Sequence, residues 1–157
     1  MHLLTRSLAA ILLATTAASV QAQSKTPPDF TGQWELNLAK SNFGGAPAPP
    51  AVTATVAQTA TLFKLTQAVG PQSVTQDIPL GAKDSTWAAP DGQPVTSTSR
   101  WSGDTLVVDF KLQRQGMDVA QANRWLLSAD RQTMTMLQQT TTPMGAMSVT
   151  LVFDRKR

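Results

Sequence analysis

Few side chains in this chain could do covalent chemistry, and those that could are carboxylates. Glu35 is the only glutamate, and the other nine acidic residues are aspartates. Glu35 paired with Asp109 or Asp118 could in principle supply the acid and base of glycoside hydrolysis. However, strand alternation puts Glu35 on the opposite face from Trp34, and Asp109 on the opposite face from Phe110. Both carboxylates are therefore predicted to face solvent, and we expect no catalytic residues.

The residues that the chain lacks exclude several other kinds of site. There is no cysteine and no tyrosine, and the only histidine is His2, at the extreme N-terminus. Ser-His-Asp and Cys-His nucleophilic systems, and zinc or copper sites of the usual His/Cys type, are thereby excluded from the rest of the chain. The aspartates do not follow the spacing of a calcium-binding loop. We therefore predict no metal and no cofactor.

Residues 1–22 have the pattern of an export signal. Met1–Arg6 is a short basic segment, and Ser7–Ala18 is an apolar run. Val20-Gln21-Ala22 then places small side chains at the positions before the cleavage site that a signal peptidase recognises. The apolar run is too short to span a bilayer, which needs about 20 apolar residues. We predict cleavage after Ala22 and a periplasmic or secreted protein.

Cleavage would leave 157 − 22 = 135 residues, the size of one domain. Residues 23–29 are predicted to form an extended leader, and residues 30–157 a single domain. After loss of Arg6, the chain would contain 12 basic and 10 acidic residues. Its one basic cluster is Arg155-Lys156-Arg157. A nucleic-acid partner is not predicted, because nucleic-acid binding needs a concentrated basic face.

Two-residue alternation runs through most of the chain. It is clearest where Leu106, Val108, Phe110 and Leu112 alternate with Thr105, Asp109 and Lys111, which is typical of a strand. The proline-rich stretch Gly44–Pro50 predicts a surface connector without strand or helix.

One segment, 118–127, fits either a helical stripe or one face of a strand. We favour the strand because turns flank it on both sides.

The predicted fold class is all-β, an antiparallel up-and-down meander of about 8–10 strands. Because closure removes exposed strand edges, a barrel is favoured over a sandwich. A barrel inserted in a membrane is not predicted. The chain ends in Arg155-Lys156-Arg157, and without tyrosine it cannot supply good aromatic girdles.

The opening motif Phe30-x-Gly32-x-Trp34 resembles the first strand of lipocalins and their calycin relatives. That resemblance implies an eight-stranded barrel whose tryptophan closes the floor beneath a basic residue of the last strand, and Arg155 matches that residue by position. Gly32, Trp34 and Arg155 would then be structural residues. Further similarity, in the Trp101–Val108 hairpin among other motifs, is to exported bacterial proteins described as lipocalin-like, and it implies no activity.

Four residues are candidate ligand contacts. Trp87 lies beside a turn and could gate a barrel mouth, and Met136 belongs to a methionine-rich region whose thioethers suit either a pocket or a core. Gln76 and Gln121 fall on otherwise apolar strand faces, as do Asn123 and Gln138. These amides indicate either a polar lumen or strands in the reversed register.

Three functions follow from these predictions. The leading one is a barrel that binds a small apolar or amphipathic ligand in its lumen. The second is a filled barrel acting as an interaction or inhibitor module through loops such as Gly44–Pro50 and Ala88–Pro94, with an unidentified protein partner. The third, a carboxylate-dependent hydrolase, has the least support.

Overall fold

The structure is a computed structural model that describes residues 26–81, 84–88 and 92–157. The predicted signal sequence and the first residues of the predicted leader lie outside the described residues. Among the described residues, no helix is long and apolar enough to cross a membrane.

The described residues form ten antiparallel strands in a nearly closed barrel, which confirms the predicted all-β meander. The resemblance to lipocalins implied eight strands, and the structure has two more. The segment that fitted either a helix or a strand is a strand. The strands are β1 (Gly32–Leu36), β2 (Val52–Gln58), β3 (Leu62–Val69), β4 (Gln72–Pro79), β5 (Ser85–Ala88), β6 (Pro94–Ser102), β7 (Thr105–Arg114), β8 (Met117–Leu127), β9 (Thr133–Thr142) and β10 (Gly145–Arg155).

Sheet order is β4-β3-β2-β1-β10-β9-β8-β7-β6-β5, so the first strand lies between the second and the last. All neighbours in this order are antiparallel, and the two ends of the sheet, β4 and β5, do not pair. Ser99, on β6, links that strand to the end of β4 where β5 no longer pairs with β6. Its hydroxyl donates to the Pro79 carbonyl at 2.6 Å and accepts from the Gly81 N–H at 3.2 Å.

One end of the barrel, which we call the floor, is filled with aromatic and apolar side chains. Phe30 packs edge-on against Phe63 with ring centroids 5.8 Å apart, and Phe63 lies 5.5 Å from Trp125. Gln58 holds the segment that enters the floor, since its amide accepts from the Phe30 N–H and donates to the Pro28 carbonyl. The fully buried side chains here include Phe30, Trp34, Phe63, Leu106, Trp125, Met134 and Phe153.

Gly32, Trp34 and Arg155 form one cluster at the floor. The Arg155 guanidinium lies 4.2 Å from the Trp34 ring centroid and donates to the Thr31 carbonyl at 2.9 Å and the Arg131 carbonyl at 2.8 Å. The Trp34 indole donates to the Phe30 carbonyl at 3.0 Å. Gly32 has φ +149°, and a Cβ atom there would collide with the Arg155 guanidinium. Because glycine has no Cβ atom, Arg155 can lie over the Trp34 ring at this position.

Between β1 and β2 the chain makes a 3₁₀ turn, Leu38–Lys40, and then the connector predicted from its prolines. Asp154 on β10 anchors the turn, since it accepts from the Asn37 amide at 2.6 Å and from Lys40 Nζ at 3.1 Å. These contacts, chiefly the Asn37 hydrogen bond, lower the pKa of Asp154 from its usual value. The connector, residues 43–51, contains no strand and returns to the start of β2.

Candidate functional site

The barrel end opposite the floor, which we call the mouth, is not covered by any of the residues that the structure describes. It is formed by the ends and starts of strands joined by the turns at 70–71, 115–116 and 143–144. A cavity of about 810 Å³ opens there. Its lining residues are Gln93, Leu112, Gln113, Arg114, Gln115, Gly116, Met117, Val119, Gln121, Gln138, Thr140 and Thr142.

Strand register explains why these side chains meet. Residues paired across antiparallel strands lie on the same face of the sheet. Leu112 pairs with Val119, and one step further out Arg114 pairs with Met117. From β8, Gln121 pairs with Thr140 on β9. Interior positions of β7, β8 and β9 therefore form one continuous wall, apolar at Leu112 and Val119 and charged at its rim.

Amide side chains mark the lower limit of the cavity. The Gln121 amide donates to the Asn123 side-chain oxygen at 3.1 Å, and the Gln138 amide donates to the Thr140 hydroxyl at 3.4 Å. Asn123 is buried and pairs with Gln138. Of the two interpretations of these amides, the structure therefore supports the polar lumen, with the strands in their expected register.

Below the amides, the lumen is filled. Trp125 and Met136 pair across β8 and β9, and both are almost fully buried. The Trp125 indole N–H has no acceptor in the described part of the chain. The barrel is thus filled at its floor and hollow at its mouth.

Two apolar side chains on interior positions remain exposed near the mouth. Val74, which pairs with Gln67 on β3, is 43% exposed, and Met147, which pairs with Thr140 on β9, is 46% exposed. Apolar surface left uncovered inside a barrel gains free energy when an apolar molecule displaces water from it. The mouth therefore presents an apolar surface that a ligand could cover.

The structure brings one of the four candidate ligand contacts into the cavity. Gln121 lines it. Gln76 is half-buried on β4 opposite Leu65, outside the lining, and Met136 packs in the filled part of the lumen. Trp87 pairs with Val95 in the backbone of β5, and its side chain lies outside what the structure describes.

Sequence reasoning missed Arg114, Val119 and Thr140 as cavity residues. Arg114 could have been found, because it is one step beyond Leu112 in the alternating run of β7. Val119 and Thr140 are likewise one alternation step from Gln121 and Gln138, but only the pairing of β8 with its neighbours brings them to the same cavity as Arg114.

The carboxylates considered for catalysis do not line the cavity. Glu35 is exposed and pairs with Asp154 in the register of β1 and β10. Asp109 forms an ion pair of 2.6 Å with Arg100, and Asp118 accepts from the Gln113 amide at 3.0 Å. Within the described ranges, no group of three or more His, Cys, Asp or Glu residues could hold a metal ion.

Sequence comparisons with protein families and with curated proteins find no match for this chain. Structure comparison does find similar folds. A fatty acid transporter, REP1-NXSQ, superposes with a TM-score of 0.60 at 12% identity, covering 82% of this chain and 96% of its own. A secretory abundant heat soluble protein from Ramazzottius varieornatus gives 0.61 at 8% identity, covering 83% and 98%. Zebrafish ileal bile acid-binding protein, solved with cholic acid, gives 0.57 at 13% identity, covering 81% and 98%. At these identities the likeness establishes a shared barrel fold.

Proposed function

We propose that this protein binds a small apolar or amphipathic molecule in its mouth cavity. The observation that carries the proposal is a cavity of about 810 Å³ with an apolar wall on the interior face of the barrel. Ligand-binding cavities typically measure about 300–1,000 Å³ and combine an apolar lining with a few polar groups. The volume lies in that range, and Leu112, Met117 and Val119 supply an apolar wall within a lining that otherwise consists mainly of glutamines and threonines.

The filled floor limits the size of the ligand. From Thr142 at the rim to Gln138 at the amide layer, β9 advances four residues, or about 14 Å at about 3.4 Å per residue. Beneath that layer the interior is occupied by Trp125, Met134 and Phe153, each at most 1% exposed. We therefore expect a compact ligand, about as long as the upper half of the lumen.

Structural likeness adds support of a weaker kind. Two of the similar structures described above are named as a fatty acid transporter and a bile acid-binding protein. A shared fold does not determine function, which depends on the residues of the site. The proposal of an apolar ligand therefore rests on the mouth cavity of this chain.

Export belongs to the same proposal. We expect the signal sequence of residues 1–22 to direct the barrel to the periplasm or outside the cell, as in the exported bacterial proteins that the chain resembles. The ligand would then be a molecule of that compartment. We infer a binding protein rather than an enzyme, because no carboxylate considered for catalysis lines the cavity.

An interaction module is the second candidate, and one observation favours it. Met144, in the turn between β9 and β10, is 80% exposed at the rim of the mouth. Single exposed apolar side chains are common on protein surfaces, so this candidate needs Met144 to be the centre of a larger contact surface. A protein partner captured by the wild type and lost with Met144→Ser would support this candidate.

A binding experiment tests the proposed function directly. The neutral dye N-phenyl-1-naphthylamine, which fluoresces in apolar surroundings, is titrated into the wild type and into Thr140→Phe. The new ring would occupy the cavity, so binding should weaken at least about tenfold, or about 1.4 kcal/mol.

Gln139→Phe is the matched control. Gln139 is also adjacent to Thr140 on the same strand, is exposed, and pairs with Ala122 on the outer face, away from the cavity lining. The control should bind the dye like the wild type. Equal affinity for the dye in Thr140→Phe and the wild type would contradict the proposal.

A further inference from the structure

We propose that the ligand is anionic and lies with its acidic group at the mouth, beside Arg114, and with its apolar part toward the floor. This inference rests on the proposed function and adds the ligand's charge and its direction. Arg114 is the last residue of β7 and pairs with Met117, the first residue of β8. Its side chain lines the cavity at the rim.

Among the described residues that line the mouth cavity, Arg114 is the one that carries a charge. The lining residues deeper in the cavity are apolar or carry neutral amides and hydroxyls. The other arginine at an interior strand position, Arg155, lies at the floor, where it covers Trp34. An anion that enters the mouth cavity therefore meets a single cation, and meets it at the entrance.

The guanidinium of Arg114 is also uncommitted. Arg100 pairs with Asp109 on the outside of the barrel, and Arg155 donates to two carbonyls. By contrast, the Arg114 side chain makes no hydrogen bond or ion pair with another described residue. A planar guanidinium with free donors matches the geometry of a carboxylate or a sulfate.

Polarity changes in steps from the rim inward. Arg114 and Met117 form the rim, Leu112 and Val119 form the next layer, and Gln121 follows them. A molecule with its acidic group outward would place its apolar part against Leu112 and Val119. The opposite direction would put the acidic group against neutral amides that already bond to neighbouring side chains. Burying a charge without a countercharge is costly, so this direction is disfavoured.

Three ten-carbon compounds test the charge of the ligand: decanoate, decanol and decyltrimethylammonium. Each is used to displace N-phenyl-1-naphthylamine from the wild-type protein, below the concentration at which it forms micelles. Decanoate should bind about three- to tenfold more tightly than decanol, and the cation should bind most weakly. The decanoate advantage should shrink between about 20 mM and 300 mM salt, because added ions screen a pair at the rim.

Arg114→Gln tests the residue. It should weaken decanoate about three- to tenfold and leave decanol within about twofold of the wild type. Arg124→Gln is the matched control, since it removes the same charge from an exposed position on the other face of β8. It should leave the affinity for decanoate unchanged.

The outcomes separate the two proposals. If neither the dye nor any ten-carbon compound binds, the proposed function itself is wrong. If decanol binds as tightly as decanoate, or if Arg114→Gln leaves decanoate binding unchanged, the cavity still binds a ligand. The proposal that this ligand is anionic, with its acidic group beside Arg114, is then wrong.

Discussion

Replacing Gly32 with alanine should destabilise the protein by more than the cost of the unfavourable backbone conformation alone. The residue has φ +149°, a conformation that residues with a Cβ rarely adopt, and its Cβ would collide with the Arg155 guanidinium. Arg155 would have to move away from the Trp34 ring and from the Thr31 carbonyl. The substitution therefore disturbs both the backbone of β1 and the packing of Arg155 over Trp34 at the floor.

The expected loss has two parts. A non-glycine residue held in such a conformation costs about 1–3 kcal/mol. Losing the cation–π contact of Arg155 with Trp34 costs about 0.5–1 kcal/mol at a partly exposed site, and a weakened hydrogen bond adds about 0.5–1 kcal/mol. The sum is about 2–5 kcal/mol, of which about 1–2 kcal/mol belongs to Arg155.

Gly145→Ala is the control that separates these parts. Gly145 has φ +143°, and its added Cβ would meet nothing within 4 Å. It should show the backbone cost alone, so in urea its midpoint should lie about 0.5–1 M above that of Gly32→Ala. Adding Arg155→Ala to Gly32→Ala should cost less than Arg155→Ala costs in the wild type. Equal midpoints for the two glycine variants, with additive effects of Arg155→Ala, would refute the reasoning.

Three further substitutions have distinct expected outcomes. Because its folded pKa is lowered, chiefly by Asn37, Asp154 should stabilise the fold above about pH 4. That stability should be lost as the pH falls through the folded pKa. The urea midpoint of Asp154→Asn should thus lie below the wild type's at pH 7, and the difference should shrink as the pH falls below about 4, so a pH-independent difference would contradict this. Ser99→Ala should cost about 1 kcal/mol in urea unfolding, because the Gly81 N–H loses its acceptor, and no loss would mean that water replaces the hydroxyl. Trp125→Phe should lower the free energy of unfolding, measured by thermal unfolding, by less than about 2 kcal/mol, because it also removes a buried unpaired donor. A decrease above about 3 kcal/mol would show that the indole N–H has a hydrogen-bond partner.

Local pattern was enough to predict the strands. In β7, Leu106, Val108, Phe110 and Leu112 recur at every second position, so the face that each of these side chains occupies follows from the strand period. Met117–Leu127 could be assigned only by its flanking turns, and it is the strand β8. Both features depend on residues that are close in sequence.

The cavity could not be predicted in the same way. Arg114, Val119 and Thr140 meet because β7, β8 and β9 pair in one register, and side chains on neighbouring strands give no sequence signal of that pairing. The sequence also could not show where the lumen stops. That limit is set by how Trp125 and Met136 fill the interior together, which is a property of packing volume.

The central claim is that a small apolar molecule binds in the mouth cavity. Its most direct test is an NMR titration of the ¹⁵N-labelled protein with N-phenyl-1-naphthylamine, whose rings shift nearby amide signals. We expect saturable shifts at Leu112, Val119 and Thr140 and unmoved signals at Trp34 and Phe153 in the floor. Shifts confined to residues outside the cavity, or no saturable shifts at all, would contradict the account.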